Sequence, residues 1–177
     1  RAADQGDPEA QFNLGSMFYL GEGVPADPKE ALRWYLMAAD QGWLIAQNEA
    51  ADMYRKGVGT KQDFNEALKL FRRAAGKGFA PAQFARAEMY EKAEGVARDY
   101  AAAKRLYRKA AAQGSLDSIK RLASMSLDGA GTAPDLVDAY AWYSVVPAFG
   151  DDGGYLELKK LRPHMKTSEV SLAIKRG

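Results

Sequence analysis

The pentapeptide AADQG occupies residues 2–6 and recurs, unchanged, at residues 38–42. Displacing the chain by that thirty-six-residue interval keeps it in register almost to its end, and a period of this length marks an array of stacked supersecondary units. Glycine returns at Gly6, Gly42, Gly78, Gly114 and Gly150, and again at Gly23, Gly59, Gly95 and Gly131. Further columns are Asp27, Asp63, Asp99 and Asp135; Ala31, Ala67, Ala103 and Ala139; Met17, Met53, Met89 and Met125; and the aromatics Tyr35, Phe71, Tyr107 and Tyr143. So many columns in one register exclude coincidence. The organisation expected is the tail of a preceding unit at 1–5, four units at 6–41, 42–77, 78–113 and 114–149, and a half unit with a capping helix at 150–177.

Within a unit the punctuation predicts two helices. Asp7 can cap and Pro8 can open a helix over residues 8–19, because the first helical turn leaves N–H groups that an aspartate can accept from and a proline does not need. The second helix starts after Asp27, with Glu30 three residues on, a capping-box spacing that Asp63 and Glu66 repeat. It ends at the Ala-Ala-x-x-Gly joint, where glycine takes the positive φ of a C-terminal cap without a Cβ clash. The GxG stretches at 21–23, 57–59 and 129–131 follow no strand pattern and lead into no Gly-Lys-Ser/Thr, so they are turns rather than phosphate loops. In the third unit Ala93 stands for the first of those glycines.

At helical spacing Ala10, Leu14, Met17 and Phe18 share one face of the first helix, and Ala31, Trp34, Tyr35 and Ala38 share one face of the second. These faces are expected to pack together, with Ala10, Ala46, Ala82 and Ser118 allowing close approach, the methionines filling gaps, and Leu122 in the core.

The Leu14-Gly15 pair, Phe18, the GxGV of residues 21–24, Asp27, Ala31, Trp34-Tyr35 and Ala38-Ala39 together resemble the Sel-one-like repeat (SLR), a branch of the tetratricopeptide-like helical repeats. A tetratricopeptide array proper repeats every ~34 residues, and the glycine-rich loop between helices points to the SLR branch. The resemblance covers residues 6–149. It implies an all-α, right-handed α-solenoid of antiparallel helix pairs, an adaptor surface for other proteins, and no catalytic residue or cofactor. Three positions depart from the pattern: Arg86 stands in the column of Leu14 and Leu122, Ser126 in that of Phe18, Tyr54 and Tyr90, and Pro147 in the joint. Arg86 either lays its stem on the core with its guanidinium in water or pairs with an acid. After residue 150 the register persists through Gly154 and Leu158, and a polar terminal unit is expected, with one helix to about Arg162 and another begun by Thr167 or Ser168.

Two surfaces are candidates for function. The side of each first helix turned from the core, the concave side of such arrays, carries Glu9, Phe12, Ser16 and Tyr19; Ile45, Asn48, Asp52 and Arg55; Pro81, Phe84, Glu88 and Glu91; Asp117, Lys120, Ser124 and Leu127. These residues vary from unit to unit, which frees them from repeat packing. Aromatics among both signs of charge suit recognition of a peptide or helix of a partner protein, with Phe12, Tyr19 and Phe84 as anchors and Asp52, Arg55 and Glu88 for orientation. The alternative is a convex basic surface of Lys69, Arg72, Arg73, Lys104, Arg105, Arg108 and Lys109, suited to a polyanion such as an acidic protein, an anionic polysaccharide or nucleic acid. Cations near helix C-termini also simply favour the helix dipole.

Composition narrows the chemistry. With 25 Lys and Arg against 23 Asp and Glu, the chain has no global charge that would make nucleic acid its main partner. It has no cysteine and a single histidine, His164, so neither a Cys-His pair nor a His-Cys metal site is available, and no enzyme or cofactor is implied. No apolar run approaches the ~18 residues of a membrane span. A cysteine-free chain is equally at home in cytosol or periplasm, and a monomer is the default.

Overall fold

A computed structural model describes residues 2–176, which contain helices and no strand. Four hairpins follow one another: α1 (Pro8–Leu20) with α2 (Pro28–Asp40), α3 (Leu44–Lys56) with α4 (Phe64–Gly76), α5 (Ala80–Lys92) with α6 (Tyr100–Ala111), and α7 (Leu116–Asp128) with α8 (Leu136–Val145). Each second helix also packs against the first helix of the next hairpin, building a right-handed α-solenoid. Two shorter helices, α9 (Gly153–Leu161) and α10 (Thr167–Ile174), follow it. No helix among the described residues is long and apolar enough to cross a membrane.

The aspartate column caps the helices as its position requires. Asp27 accepts from the Lys29 and Glu30 N–H groups at 3.0 and 3.1 Å, Asp63 from Asn65 and Glu66 at 2.9 and 3.1 Å, Asp99 from Ala102 at 2.8 Å and Asp135 from Asp138 at 2.9 Å. Each is worth about 1 kcal/mol. The reciprocal half of the capping box is not made. Glu30 instead accepts from Arg33 and Glu66 from Lys69, each a cation one turn along the same exposed face.

At the joints the Gly42 N–H bonds the Ala39 carbonyl at 3.0 Å and the Trp43 N–H bonds that of Ala38 at 3.1 Å, with Gly42 at φ +91°. This double closure recurs at Gly78 and Gly114, so the glycine column turns each hairpin into the next. The loop glycines join units as well. A Cβ on Gly59 would stand 2.3 Å from the Pro28 carbonyl oxygen, and one on Gly95 would stand 2.4 Å from Phe64 Cβ. Each of these glycines lies on the start of the preceding unit's second helix, where only a hydrogen fits.

The core runs the length of the array. Ala31, Tyr35, Phe71, Ala103 and Tyr107 from second helices meet Met53, Met89, Leu122 and Met125 from first helices, all buried. Met17 departs from its column and is 38 % exposed. Met53 shares a cluster with Leu32 and Tyr35 of the preceding second helix, whereas no described helix precedes α1. Gln11, Gln47 and Gln83 form a buried polar column of period thirty-six. Their amides donate to the carbonyls of Ala3, Ala39 and Ala75 at 3.3, 2.9 and 3.3 Å, giving each of these joint carbonyls a second donor beside the glycine N–H.

At the C-terminal end Pro147 breaks the joint into a 3₁₀ turn, Val146–Phe149, because proline cannot donate the next helical hydrogen bond. Leu161, Met165, Val170 and Ala173 pack on α8. The expected polar ending is only partly realised: Tyr155, Leu156, Leu172 and Ile174 point outward, since the short helices spend their remaining apolar residues on α8.

Candidate protein-binding face

The first helices α3, α5 and α7 hold two adjoining grooves of about 480 Å³ each. One is walled by Asn48, Asp52 and Arg55 from α3 and Phe84 and Glu88 from α5; the other runs from Phe84 past Lys120 and Ser124 to Tyr143 and Glu157. Phe84 and Asp117 border both. Phe84 is held from behind by Tyr107, ring centroids 5.4 Å apart and tilted by 56°, so its ring is half-buried and fixed in place. Asn48 Oδ1 is buried in this wall without a hydrogen-bond donor.

Charge in the first groove is paired across units. Arg55 approaches Asp52 at 3.4 Å, Glu88 at 3.1 Å and Glu94 at 3.6 Å, while Lys92 reaches Glu88 at 2.6 Å. Burial tends to raise the Glu88 carboxyl, but the Lys92 hydrogen bond and the charges of Lys92 and Arg55 outweigh it, so its pKa lies below the usual value. In the second groove Lys120 pairs with Asp151, whose pKa is lowered by that hydrogen bond and by the Gly153 N–H. Glu91 departs from expectation: it is 9 % exposed and is no part of an open stripe. It accepts from the Tyr107 hydroxyl at 2.9 Å and from both Arg121 Nε and Nη2, locking the third unit to the fourth. Burial, with the charge and hydrogen bond of Glu91, pushes the Tyr107 hydroxyl far above its ordinary value, so it stays a donor.

The rest of the expected stripe divides. Phe12 stacks on Tyr35 at 5.4 Å, and Ser16 shares a hydrogen bond with the Tyr35 hydroxyl at 3.1 Å. With the exposed Tyr19 they border neither groove. On the opposite side Lys69 pairs with Glu66 at 3.3 Å, and Arg73 with Asp40 at 3.3 Å. Arg72, Arg105, Arg108 and Lys109 have no ion-pair partner among the described residues, and Lys104 donates to Thr132 Oγ1. Arg105 and Arg108 lie with Lys104 and His164 along a further cleft of about 960 Å³ that Asp135, Asp138 and Glu169 also line, so acids interrupt the basic cluster at that end.

The model of the Sel1 repeat matches at residues 8–43, 44–79, 80–115 and 117–144. The chain belongs to the Sel1 repeat family. Sel1 repeats generally serve as protein-interaction scaffolds and are generally non-catalytic. Among solved structures, the chain resembles c5321, a protective antigen of uropathogenic Escherichia coli with an SLR fold, at 33 % identity and a TM-score of 0.88. That match covers 99 % of this chain but 38 % of the antigen, so the chain spans well under half of its relative. A Sel1 repeat protein from Oxalobacter formigenes matches at 29 % identity and a TM-score of 0.83, over 97 % of this chain and 74 % of that one. No curated protein sequence matches the chain.

Within this Sel1 array, Asn48, Asp52, Arg55, Phe84 and Glu88 come together in one groove and Lys120 joins Phe84 in the next. Arg121, Tyr143 and Glu157 also line the second groove, and the sequence pattern does not single them out. Arg121 belongs to a position that reads as ordinary solvated helix, and nothing local to it signals the carboxylate thirty residues earlier. Tyr143 sits in the repeating aromatic column, whose other members are sealed. It lies at the groove because the second half of the joint after it is disrupted at Pro147.

Proposed function

We propose that this array is a protein-binding module that takes an extended peptide of a partner along its first-helix, concave face, across the two grooves that meet at Phe84. The observation that carries this is the pair of grooves on either side of one rigid, half-buried aromatic ring. An extended strand projects alternate side chains to the same side, so neighbouring same-side residues enter successive grooves while Phe84 packs between them. The ion pairs of Arg55 and Glu88 act as a fixed polar rim that orients the peptide rather than as free charges seeking a partner.

Selection of linear peptides from a display library on the purified protein, followed by calorimetry, tests the reading. Selected peptides should lose at least about tenfold in affinity on Phe84→Ala and lose little on Phe12→Ala with Tyr19→Ala. Peptides that bind the Phe84→Ala protein undiminished would overturn it.

A further inference from the structure

On the side away from those grooves, α4 and α6 flank α5, and Arg86 rises between them from the column that is Leu14 in the first unit and Leu122 in the fourth. Two clefts of about 620 and 210 Å³ meet at Arg86 and Tyr90. Their walls carry Lys69, Arg72 and Arg73 from α4 and Arg105 and Lys109 from α6, and no carboxylate lines either cleft. Arg86 is half-buried, donates to the Tyr90 hydroxyl at 3.2 Å and lies 5.5 Å from the Tyr90 ring centre. Arg86 thus lays its stem along the array, and its head group meets a phenol rather than an acid. Arg72, Arg105 and Lys109 around it also lack acidic partners among the described residues, whereas Lys69 and Arg73 are tethered at exposed, weak pairs.

We propose that this cleft is an anion-binding site that takes a short acidic segment of a partner polypeptide, one carboxylate seating on the Arg86 guanidinium and its neighbours on Arg72 and Arg105. The planar fork of arginine matches a carboxylate, and Tyr90 fixes the fork in advance, so little rotamer freedom is lost on binding. The walls between the cations are apolar, with Leu68, Val96 and Leu106, which suits the side chains of a peptide and offers nothing to a sugar-phosphate backbone. The small volumes and the near-neutral chain also provide no long basic track for counterion release from nucleic acid.

The column itself supplies the test. The equivalent position is leucine in the first and fourth units and alanine in the second, Ala50, so Arg86→Leu places an apolar residue that the repeat already carries there while removing the guanidinium. Anisotropy titration of a fluorescein-labelled peptide of glutamates and leucines, with labelled oligothymidylate as the second probe, should show the peptide binding the native protein and weakening with salt. Arg86→Leu should weaken it at least about tenfold with no fall in melting temperature. Arg72→Ala, which alters an exposed side chain only, should weaken it several-fold. Peptide binding unchanged in either variant, or oligothymidylate bound as tightly as the peptide, would overturn the proposal. The Phe84→Ala protein should bind this peptide normally, which separates failure here from failure of the groove on the other face.

Discussion

Arg86 and Leu122 occupy the same place in successive units, on helices of the same length and in the same register, yet one opens a cleft and the other closes a core. Leu122 is 1 % exposed, in a cluster with Ala87, Ala103, Tyr107 and Met125. Arg86 leaves the corresponding space to its own head group and to solvent. Their companions one turn on differ too. Tyr90 gives Arg86 a ring and a hydroxyl to lean on, while Ser126 beside Leu122 is buried and donates to Asp138 at 2.6 Å. The repeat thus fixes backbone and spacing, and one changed position, Arg86, beside the aromatic that its own column usually carries, Tyr90, converts packing into a site without disturbing the array.

Truncation at the two positions gives the sharpest test of that difference. Leu122→Ala removes a sealed side chain and leaves a cavity, so it should cost about 2–5 kcal/mol in urea unfolding. Arg86→Ala forfeits one charged guanidinium–phenol hydrogen bond and one cation–π contact, both at a half-exposed head group, and should cost about 1–2 kcal/mol. Equal losses would show that Arg86 belongs to the core after all. The next effect is smaller and contrasts an arginine that has a carboxylate with one that does not. Arg121→Met strands Glu91 with only the Tyr107 hydroxyl, and unfolding should show a loss of about 2–3 kcal/mol. The size reflects a buried acid left unpaired rather than the worth of the pair itself, because the Arg121 side chain is already 43 % exposed.

Most of the fold was legible because the chain states its rules four times. Asp27 and its counterparts, the glycines at the joints and the alanine columns each do one local job that any unit shows. The glutamine column, Gln11, Gln47 and Gln83, is as periodic as any of these, yet a polar residue in register does not look like core. Its buried amides answer carbonyls that only the next helix start brings near. The site was less legible for a related reason. Stripe membership follows from helical angle alone, but Glu91 and Glu88, three residues apart on one stripe, part company through Tyr107 and Arg121, which come from other helices. Met17 departs from its column through context in the same way: Met53 packs against the second helix before it, and no described helix precedes α1.

Arg55 offers a milder version of the contrast, an arginine on the inner face with three carboxylates around it where Arg86 has none. Because the folded pKa of Glu88 lies below its ordinary value of 4.5, its ionised form contributes stability above that pH. That contribution is lost as pH falls through the lower folded value. Glu88→Gln should therefore flatten the acid limb of a stability profile measured from pH 6 downward. The loss at neutral pH should be only about 1 kcal/mol, since Arg55 keeps Asp52 and Glu94 when Glu88 loses its charge. A profile as steep as that of the native protein would assign the acid limb to other carboxylates.

The smallest effect concerns the end of the helix that carries Arg86. α5 closes with Ala93 in the left-handed region at φ +60°, where α1, α3 and α7 close with glycine, and it is the only non-glycine residue with positive φ among those described. Left-handed backbone costs a residue with a Cβ about 1 kcal/mol, part of which glycine gives back through its freer unfolded chain. Ala93→Gly should raise the unfolding free energy by about 0.5 kcal/mol and leave anion binding at Arg86 unchanged. The two departures of the third unit would then be separable. One holds a head group open for a ligand, and the other is strain that the rest of the array absorbs because Ala93, on the exposed loop, makes the same cap hydrogen bond to the Met89 carbonyl that glycine makes elsewhere. An Ala93→Gly protein that gained nothing, or that altered peptide binding, would tie the two together and make the conformation of that loop part of the cleft.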